Sequence, residues 1–294
     1  MKIAIRVIAV ILLSTVAVTR QKPDSPATSV VVVSVRSEGP AKVEGFTISQ
    51  DGQAAQLASG ITPGTALPVE IVVVVDTSTS AARSKLFAPN QNAALALVKA
   101  LQDSGTAVRA AVVTADTQIT VVQGLTNDMH QLEAALERIR PGGASRIQDA
   151  LYGVCQKMFA GPIGSARRIA LLLSDGDDNQ SNYTRDEVIA LAQERGVLIY
   201  ALSTGQPAAE YEPLAGRGAA ALRKLTSETG GIAYLAKKPS DLQQIDQLLE
   251  KDIHNQFLIE FLPLFRDGKP HHIEVKSTNK SVRVRSASKY FAPK

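Results

Sequence analysis

The chain has 294 residues, of which 45% are apolar and 20% charged, enough apolar material for one large domain or one domain with a small appendage. The first twenty positions hold three of the 32 basic residues and no acidic one, which leaves 29 basic against 28 acidic residues in the remainder. This near-neutral balance argues against broad electrostatic binding of nucleic acid. The single cysteine excludes an intrachain disulfide.

The N-terminus predicts a secretory signal peptide over residues 1–20. Lys2 and Arg6 give a basic start, Val7–Val18 is an apolar run, and the polar sequence TRQKPDSP follows. The run is shorter than the ~20 apolar residues of a membrane span, and no later segment is a candidate. We therefore predict a secreted or periplasmic protein, with an uncleaved N-terminal anchor as the alternative. Residues 21–29 are predicted to be a linker.

Residues 30–66 predict an N-terminal β segment, because SVVVVSVRSEG and GFTISQDGQ both have strand character and the second enters an Asp-Gly turn. Over residues 67–255, apolar strand-like runs then alternate with helical patterns. The runs RAAVVTA and QITVVQGL are separated only by Asp116 and Thr117, which predicts a hairpin. Asn127 is expected to cap the helix that follows.

The alternation predicts an α/β fold with a doubly wound, mostly parallel sheet that carries an antiparallel strand at its edge. After residue 255 the pattern changes to three strands without helices, FLIEFLP, HHIEVKS and SVRVRSA. We predict that this C-terminal β segment (256–294) joins the N-terminal one in a small β appendage. The α/β domain would then be inserted into a β unit.

Hydroxyls and carboxylates follow two of the predicted parallel strands. The stretch EIVVVVDTSTSAA ends a valine strand in Asp76, Ser78 and Ser80, and a second strand, IALLLS, runs into Asp175. Ser145 precedes a predicted helix at the position of an N-cap. Because ligands of doubly wound sheets bind at the carboxyl ends of the strands, we expect these five side chains to lie together.

Three hydroxyls and two carboxylates form a set of hard oxygen ligands. Magnesium takes six oxygens in near-octahedral geometry and usually keeps several waters. With few direct carboxylates and several hydroxyls, the ion would be incompletely neutralised, and the site should attract an acidic group from outside. We therefore predict a Mg²⁺ site, with Mn²⁺ or Ca²⁺ as alternatives, and a protein ligand that presents Asp or Glu.

The same residues resemble the metal-ion-dependent adhesion site of von Willebrand factor type A (vWA) domains over about residues 67–255. Asp76, Ser78 and Ser80 match the motif D-x-S-x-S, Asp175 matches an Asp that follows an apolar strand, and Ser145 falls where a Thr precedes Asp149 by four residues. The resemblance implies that the three serines ligate the metal directly and that Asp76 and Asp175 act through water.

The sequence departs from the family pattern at one ligand position, where Ser145 replaces the usual Thr. The hydroxyl is kept, but the methyl group that stiffens the side chain is lost, so a weaker site is expected. The chain's ending, with QFLIEFLP and VRVRSASKYFAPK, also resembles secreted bacterial vWA-related proteins, often from acidobacteria.

Catalysis is not expected. No nucleophile elbow, phosphate-binding loop or dinucleotide motif occurs, and Ser78 stands where dehalogenase-type phosphatases need an acidic proton donor. The leading hypothesis is a binding module that captures an acidic group through its metal. The alternative is a vWA scaffold subunit of an envelope complex with a weak or degenerate metal site, in which the last helix (Ser240–Asn255) transmits occupancy of the site.

Overall fold

The computed structural model describes residues 28–36, 45–159, 161–203 and 213–294. The predicted signal peptide and residues 21–27 of the predicted linker lie outside these ranges and stay predictions. Within the described ranges, no helix is both long enough and apolar enough to cross a membrane.

The described residues form strands and helices that alternate through the middle of the chain. The strands are β1 (Ser29–Arg36), β2 (Phe46–Gln50), β3 (Gln53–Ala55), β4 (Leu57–Pro63), β5 (Val69–Asp76), β6 (Val108–Ala115), β7 (Ile119–Thr126), β8 (Arg167–Ser174), β9 (Val197–Ser203), β10 (Ala233–Tyr234), β11 (Gln256–Phe261), β12 (Pro270–Ser277), β13 (Arg283–Ser286) and β14 (Lys289–Phe291). The α-helices are α1 (Thr79–Ala82), α2 (Phe87–Asp103), α3 (Met129–Glu137), α4 (Ile147–Lys157), α5 (Arg185–Arg195), α6 (Pro213–Thr229) and α7 (Leu242–His254).

A six-stranded central sheet has the strand order β10-β9-β8-β5-β6-β7. Every neighbouring pair is parallel except β6 and β7, which form an antiparallel hairpin that leaves β7 at the edge. β5 lies inside the sheet and is covered on both faces, which explains its unbroken run of valines. The predicted doubly wound sheet with an antiparallel edge strand is confirmed.

Alternate side chains of the strands build two separate cores, one on each face of the sheet. Val73 and Val75 pack with the apolar side chains of α2, α3 and α7, whereas Val72 and Val74 pack with those of α4, α5 and α6. Each fully buried valine stabilises the fold by roughly 1.5–3 kcal/mol through removal from water. The two cores hold β5 rigidly, so the position of its carboxyl end is well defined.

The β segments that precede and follow the α/β region form one β-sandwich. Its antiparallel sheets have the orders β13-β1-β11-β4 and β14-β12-β2-β3, and both contribute to a third core. Phe261 of one sheet meets Tyr290 of the other edge to face, with ring centroids 5.1 Å apart. The expectation that the two terminal segments form a common β unit is confirmed. β14 is a strand that the sequence pattern did not predict.

One predicted helix start was wrong by one residue. α3 begins at Met129, and its N-cap is Asp128 rather than Asn127. The Oδ1 atom of Asp128 accepts hydrogen bonds from the backbone N–H groups of His130 and Gln131, at 2.9 and 3.4 Å. Both residue types cap helices well, so residue type alone could not distinguish them.

Buried arginines join the α/β domain to its surroundings at the amino end of β8. Arg167 donates from Nη1 to the carbonyl of Ile253, the last buried residue of α7, at 2.6 Å, and from Nη2 to the carbonyl of Leu67 at 3.3 Å. Arg168 donates from Nη1 to the carbonyl of Arg195, the last residue of α5, at 2.9 Å. Each cation therefore lies at a helix C-terminus, where the helix dipole favours positive charge.

A further arginine links the sandwich to α7. Arg285 of β13 donates to the Oδ2 atom of Asp252 at 2.5 Å and to the carbonyl of Gly230 at 2.9 Å. The buried hydroxyl of Tyr200 also donates to Asp252, at 2.6 Å. Only Asn255 separates α7 from β11, so the helix passes directly into the sandwich.

Candidate metal site

The predicted site residues lie at the carboxyl end of the central sheet. Parallel pairing of β5 with β8 aligns Val75 with Leu173, so Asp76 and Ser174 are the next residues of two adjacent strands. Asp175 follows Ser174, and the loop that carries Ser145 reaches the same edge. Hydrogen bonds connect Asp76, Ser78, Ser80 and Ser145 into one group, and Asp175 lies near enough to Asp76 for its charge to affect the pKa of that carboxyl.

Asp76 is the centre of this group. Its carboxylate is fully buried. Oδ1 accepts from the backbone N–H of Ser78 at 3.0 Å, while Oδ2 accepts from the hydroxyls of Ser174 at 2.7 Å and Ser145 at 3.4 Å. Burial raises the pKa of Asp76 to about 6; the serine hydrogen bonds oppose this shift, and nearby Asp175 adds to it.

Ser78 and Ser80 begin the short helix α1. Ser78 is its N-cap, and its Oγ atom accepts from the backbone N–H of Ala81 at 3.4 Å. The Oγ atoms of Ser78 and Ser80 are 3.2 Å apart. Ser78 is buried and Ser80 is exposed, so this pair of hydroxyls extends from the buried carboxylate to the surface.

Ser145 is held in place by contacts with the loop that follows β8. Its N–H donates to Oδ1 of Asn179 at 3.2 Å, and its carbonyl accepts from the N–H groups of Asn179 and Gln180, at 3.3 and 3.1 Å. The prediction that Ser145 caps the next helix was wrong: the residue before α4 is Arg146. Instead, Asp178 accepts from the N–H of Gln148 in the first turn, at 2.8 Å. The Ser145 hydroxyl is therefore directed to Asp76.

Asp175 is half-buried, and its Oδ1 atom accepts from the N–H of Asp177 at 3.1 Å. Burial and the charge of Asp175 raise the pKa of Asp177, while Arg217 opposes the shift. Asp175 therefore repels both Asp177 and Asp76, and this repulsion contributes to the raised pKa of each. A cation bound here would relieve both.

The loop before Ser145 has a geometry that requires glycine. Gly143 has φ +93°, and a Cβ atom there would lie 2.5 Å from Oγ1 of Thr117. Its carbonyl accepts from the N–H of Thr79 at 3.1 Å. Thr77 fixes the neighbouring loop by donating to Oδ2 of Asp116 at 2.7 Å.

Asp149 organises the surroundings of the site rather than the metal position. Its Oδ1 atom accepts from the N–H groups of Asn182 and Tyr183, at 2.8 and 2.9 Å, and Arg146 pairs with its Oδ2 atom. Although burial acts in the opposite direction, the hydrogen bonds from Tyr183, Arg146 and Asn182 together lower the pKa of Asp149. The carboxylate therefore ties α4 to the loop that carries Asn179.

Sequence reasoning missed Ser174, which makes the shortest hydrogen bond to Asp76. Once β5 and β8 are paired in parallel register, the final residue of each strand is adjacent, and this could have been read from the sequence. Asn179 was also missed, and no sequence signal identifies it, because its contact with Ser145 depends on the path of a long loop.

The donor set fits a hard metal ion. Among the described residues, no group of three His, Cys, Asp or Glu side chains could hold a metal, so this is not a site of the imidazole or thiolate type. Hydroxyl and carboxylate oxygens are the donors here, as Mg²⁺, Mn²⁺ and Ca²⁺ prefer. No cationic side chain in the described part of the chain offsets the buried charge of Asp76.

Comparison with protein families gives one match that covers most of the chain. The model of the von Willebrand factor type A domain matches residues 70–248. These residues include β5 to β9, the five predicted ligands and most of α7. A comparison with curated proteins found no match.

Solved structures with the same fold include proximal thread matrix protein 1 (PTMP1) from the mussel byssus. One form is 17% identical over 65% of this chain, with a TM-score of 0.51. A second, described as having a zinc-occupied MIDAS motif, is 19% identical over 68% of this chain, with a TM-score of 0.52. The chain spans about half the length of these proteins, 49% and 48%.

An aerotolerance-related membrane protein from Bacteroides fragilis is also similar. It is 17% identical over 63% of this chain and 98% of its own, with a TM-score of 0.48.

Proposed function

Because the chain belongs to the von Willebrand factor type A domain family, we propose that it is a non-catalytic binding module that captures an acidic group of a protein partner through a bound divalent metal. The metal is Mg²⁺, with Mn²⁺ or Ca²⁺ as alternatives. The predicted leader makes secretion or periplasmic location part of the proposal.

One observation carries this proposal: Asp76 is a fully buried carboxylate whose described partners are hydroxyls and one backbone N–H, with no cation. A buried charge is normally paired or bound to a metal, because removing it from water unpaired is costly. The surrounding hydroxyls are the weak, neutral oxygen ligands that Mg²⁺ accepts. A metal ion would supply the missing positive charge.

The resemblance to the family pattern implies a role for each residue. Ser78, Ser80 and Ser145 would hold the metal directly, while Asp76 and Asp175 would neutralise it through water. Zinc at the corresponding motif of PTMP1 supports a metal at this position. Bound metal supplies a positive centre for an incoming carboxylate.

The partner side of the site is its exposed rim. Ser80 is exposed and Asp175 is half-buried, whereas Asp76, Ser78 and Ser145 are buried. A carboxylate from a partner would therefore approach past Ser80. It would be the only charged group bound directly to the ion, since Asp76 and Asp175 would act through water. A neutral or basic group would not supply this negative charge.

The first experiment is calorimetric titration of the purified chain with MgCl₂ and MnCl₂, together with Ser78→Ala and Ser145→Ala. We expect saturable binding that each variant weakens at least tenfold, since each removes a ligand oxygen. Ser227→Ala is the matched control, because Ser227 is exposed and its hydroxyl donates only to the carbonyl of Lys224 in the same helix.

Two results would count against the proposal. The first is an equal affinity for metal in all four proteins. The second is an absence of heat in the titration, together with a thermal unfolding temperature that millimolar metal does not change.

A further inference from the structure

A groove lies next to the candidate metal site, between the edge strand β7 and helix α4. It encloses about 400 Å³. Val113 and Val154 form part of its floor, while Ile119 and Val121 line it from the strand. On the opposite side, Tyr183 stacks on Tyr152 with ring centroids 3.6 Å apart.

Several large apolar side chains that line this groove are exposed to solvent. Ile119 is 40% exposed, Val121 is 56% exposed, and Tyr183 is 40% exposed. They are close together around one concave surface rather than scattered singly, which is the arrangement typical of interaction sites.

The outer edge of β7 is open, since no other strand of the described residues pairs with it. Its sequence, ITVVQGLT, contains neither a charged residue nor a proline. Proteins usually protect an open strand edge with lysine, proline or a covering element. An unprotected edge beside an apolar groove is the arrangement that binds an extended peptide as an added strand.

The charges that line the groove favour an acidic occupant. Arg146 lies at its metal end and Lys157 at the other, and Asp149 is the only acidic residue among the described residues of the lining. Arg146 pairs with Asp149, which also accepts from the N–H groups of Asn182 and Tyr183, so the uncompensated positive charge of the lining is that of Lys157. Lys157 is exposed and has no acidic partner among the described residues.

The length of the groove determines how long a peptide strand it can hold. Arg146 and Lys157 are eleven residues apart along α4, about 16 Å at ~1.5 Å per residue. About five residues of a strand cover this distance at ~3.3 Å each. Ile119 pairs with Ala115 at the carboxyl end of β6, so the strand and the groove both begin at the metal edge of the sheet.

We propose that an extended segment of about five residues from the partner protein, apolar at alternate positions and acidic at its ends, binds in this groove as an additional strand beside β7. The proposal rests on the proposed function in one respect: the segment belongs to the partner whose carboxylate meets the metal. The groove gives that partner a second, metal-independent contact.

The test uses a defined probe, the acetylated and amidated peptide Asp-Val-Thr-Val-Glu, added to the ¹⁵N-labelled chain in EDTA. We expect its largest amide shift changes in β7 and α4. A peptide with Lys in place of both acids, and one N-methylated at its central residues, should each bind at least tenfold more weakly, because they remove charge complementarity and strand pairing respectively.

Two matched variants locate the contact. Val121→Asp should weaken peptide binding at least tenfold, whereas Thr120→Asp, the neighbouring position on the opposite face of the strand, should change it less than threefold. Both positions are exposed, so neither substitution places a charge in a core.

Shifts outside β7 and α4, equal binding of the Lys peptide, or equal loss in both variants would overturn the proposal. So would a concentration-dependent dimer that Val121→Asp dissociates, since a second copy of the chain would then be the occupant. Because the titration contains no metal, failure of metal binding in the calorimetric experiment leaves this result intact, and the two proposals fail separately.

Discussion

The two ends of the central sheet differ in the partners that their buried charged side chains have. At the amino end of β8, the buried Arg167 and Arg168 donate to backbone carbonyls, and Arg285 pairs with Asp252 nearby. At the carboxyl end, the buried Asp76 has hydroxyl and amide partners but no cation among the described residues. We call the amino end complete, because acceptors within the chain meet its cations even though burial lowers the pKa of Arg167 to about 10. We call the carboxyl end incomplete, because no cation of the described residues pairs with Asp76.

This difference indicates which end is structural and which is functional. The chain supplies carbonyl acceptors to the buried Arg167 and Arg168 and an ion pair to the half-buried Arg285, but within the described residues it supplies no cation to Asp76. Buried charge without a partner lowers stability, so we expect the carboxyl end to be less stable without a bound cation than with one. The following predictions test this contrast, from the largest expected effect to the smallest.

The largest effect is expected at the complete end. Arg285→Leu leaves the carboxylate of Asp252 without its cation and the carbonyl of Gly230 without its donor, which should cost roughly 3 kcal/mol of unfolding free energy. Urea denaturation in EDTA measures it. Metal affinity should stay within twofold of the wild type, and a loss below 1 kcal/mol would show that this end is not held together as described.

The double variant Arg285→Leu, Asp252→Leu separates the ion pair from simple packing. If the cost comes from an uncompensated carboxylate, the double variant should be more stable than the sum of the two single losses predicts. Strict additivity would contradict this explanation.

Asp76→Asn should have the opposite effect on stability at the incomplete end. Burial raises the pKa of Asp76 from 3.8 to about 6, which at 1.36 kcal/mol per pKa unit amounts to as much as about 3 kcal/mol above pH 6. The metal-free variant should therefore be more stable than the wild type at pH 7.5, although it no longer binds metal.

The pH dependence of stability distinguishes the wild type from Asp76→Asn. A raised pKa in the folded state means that ionisation destabilises the fold, so the metal-free wild type should gain stability as the pH falls from about 6 towards 3.8. The variant should lack this gain. Asp103→Asn, on the exposed surface of α2, is the control, and a destabilised Asp76→Asn would contradict the contrast.

Gly143→Ala tests how accurately the loops of the incomplete end must be placed. The positive φ of Gly143 and the 2.5 Å approach of Thr117 should make this change cost about 1–2 kcal/mol and weaken metal binding several-fold. Gly142→Ala is the matched control, because a Cβ atom there meets nothing within 4 Å. Equal effects at both positions would show that the loop adapts.

The smallest effect is expected in the sandwich. Hydrogen bonds that the ring N–H groups of His271 donate to Asp51 and Asp267 raise the pKa of His271 above 6.5 and lower the pKa values of the two carboxyls below 3.8. The protonated His271 stabilises the sandwich below pH 6.5, and this contribution is lost as the pH rises through the raised pKa of His271. The carboxylates contribute above pH 3.8 and lose their contribution as the pH falls through their lowered pKa values.

Thermal unfolding at pH 5 and pH 8 should therefore show a modest decrease with rising pH that His271→Gln removes. The side chains of Asp51 and Asp267 are 41% and 40% exposed, so solvent screening keeps the effect small. An unchanged slope in His271→Gln would show that other groups cause it.

The general architecture could be predicted because it depends on local patterns. The valine run of β5, the paired runs of β6 and β7, and the switch to strands after residue 255 each indicate their own structure. The three site motifs were also visible, because each lies next to an element that sequence periodicity identifies.

The remaining details depend on contacts between distant parts of the chain. Asn179 meets Ser145 only because of the path of its loop, and Asp178 takes the capping role that Ser145 was predicted to have. Arg285, spaced like an ordinary exposed residue of an edge strand, finds Asp252 in a helix 33 positions earlier. No local pattern contains these partners.

The insertion of the α/β domain into the sandwich has a consequence for synthesis. β1 pairs with β11, matching Ser29 with Phe261. During synthesis β1 therefore remains without this partner until more than two hundred further residues have been made. Until then its apolar face is uncovered, as aggregation-prone edges are. Folding of the α/β domain joins the chain ends at Leu67 and Ile253 through Arg167, which shortens the loop that remains to be closed. The folded α/β domain thus brings the two β segments close together before they pair in the sandwich.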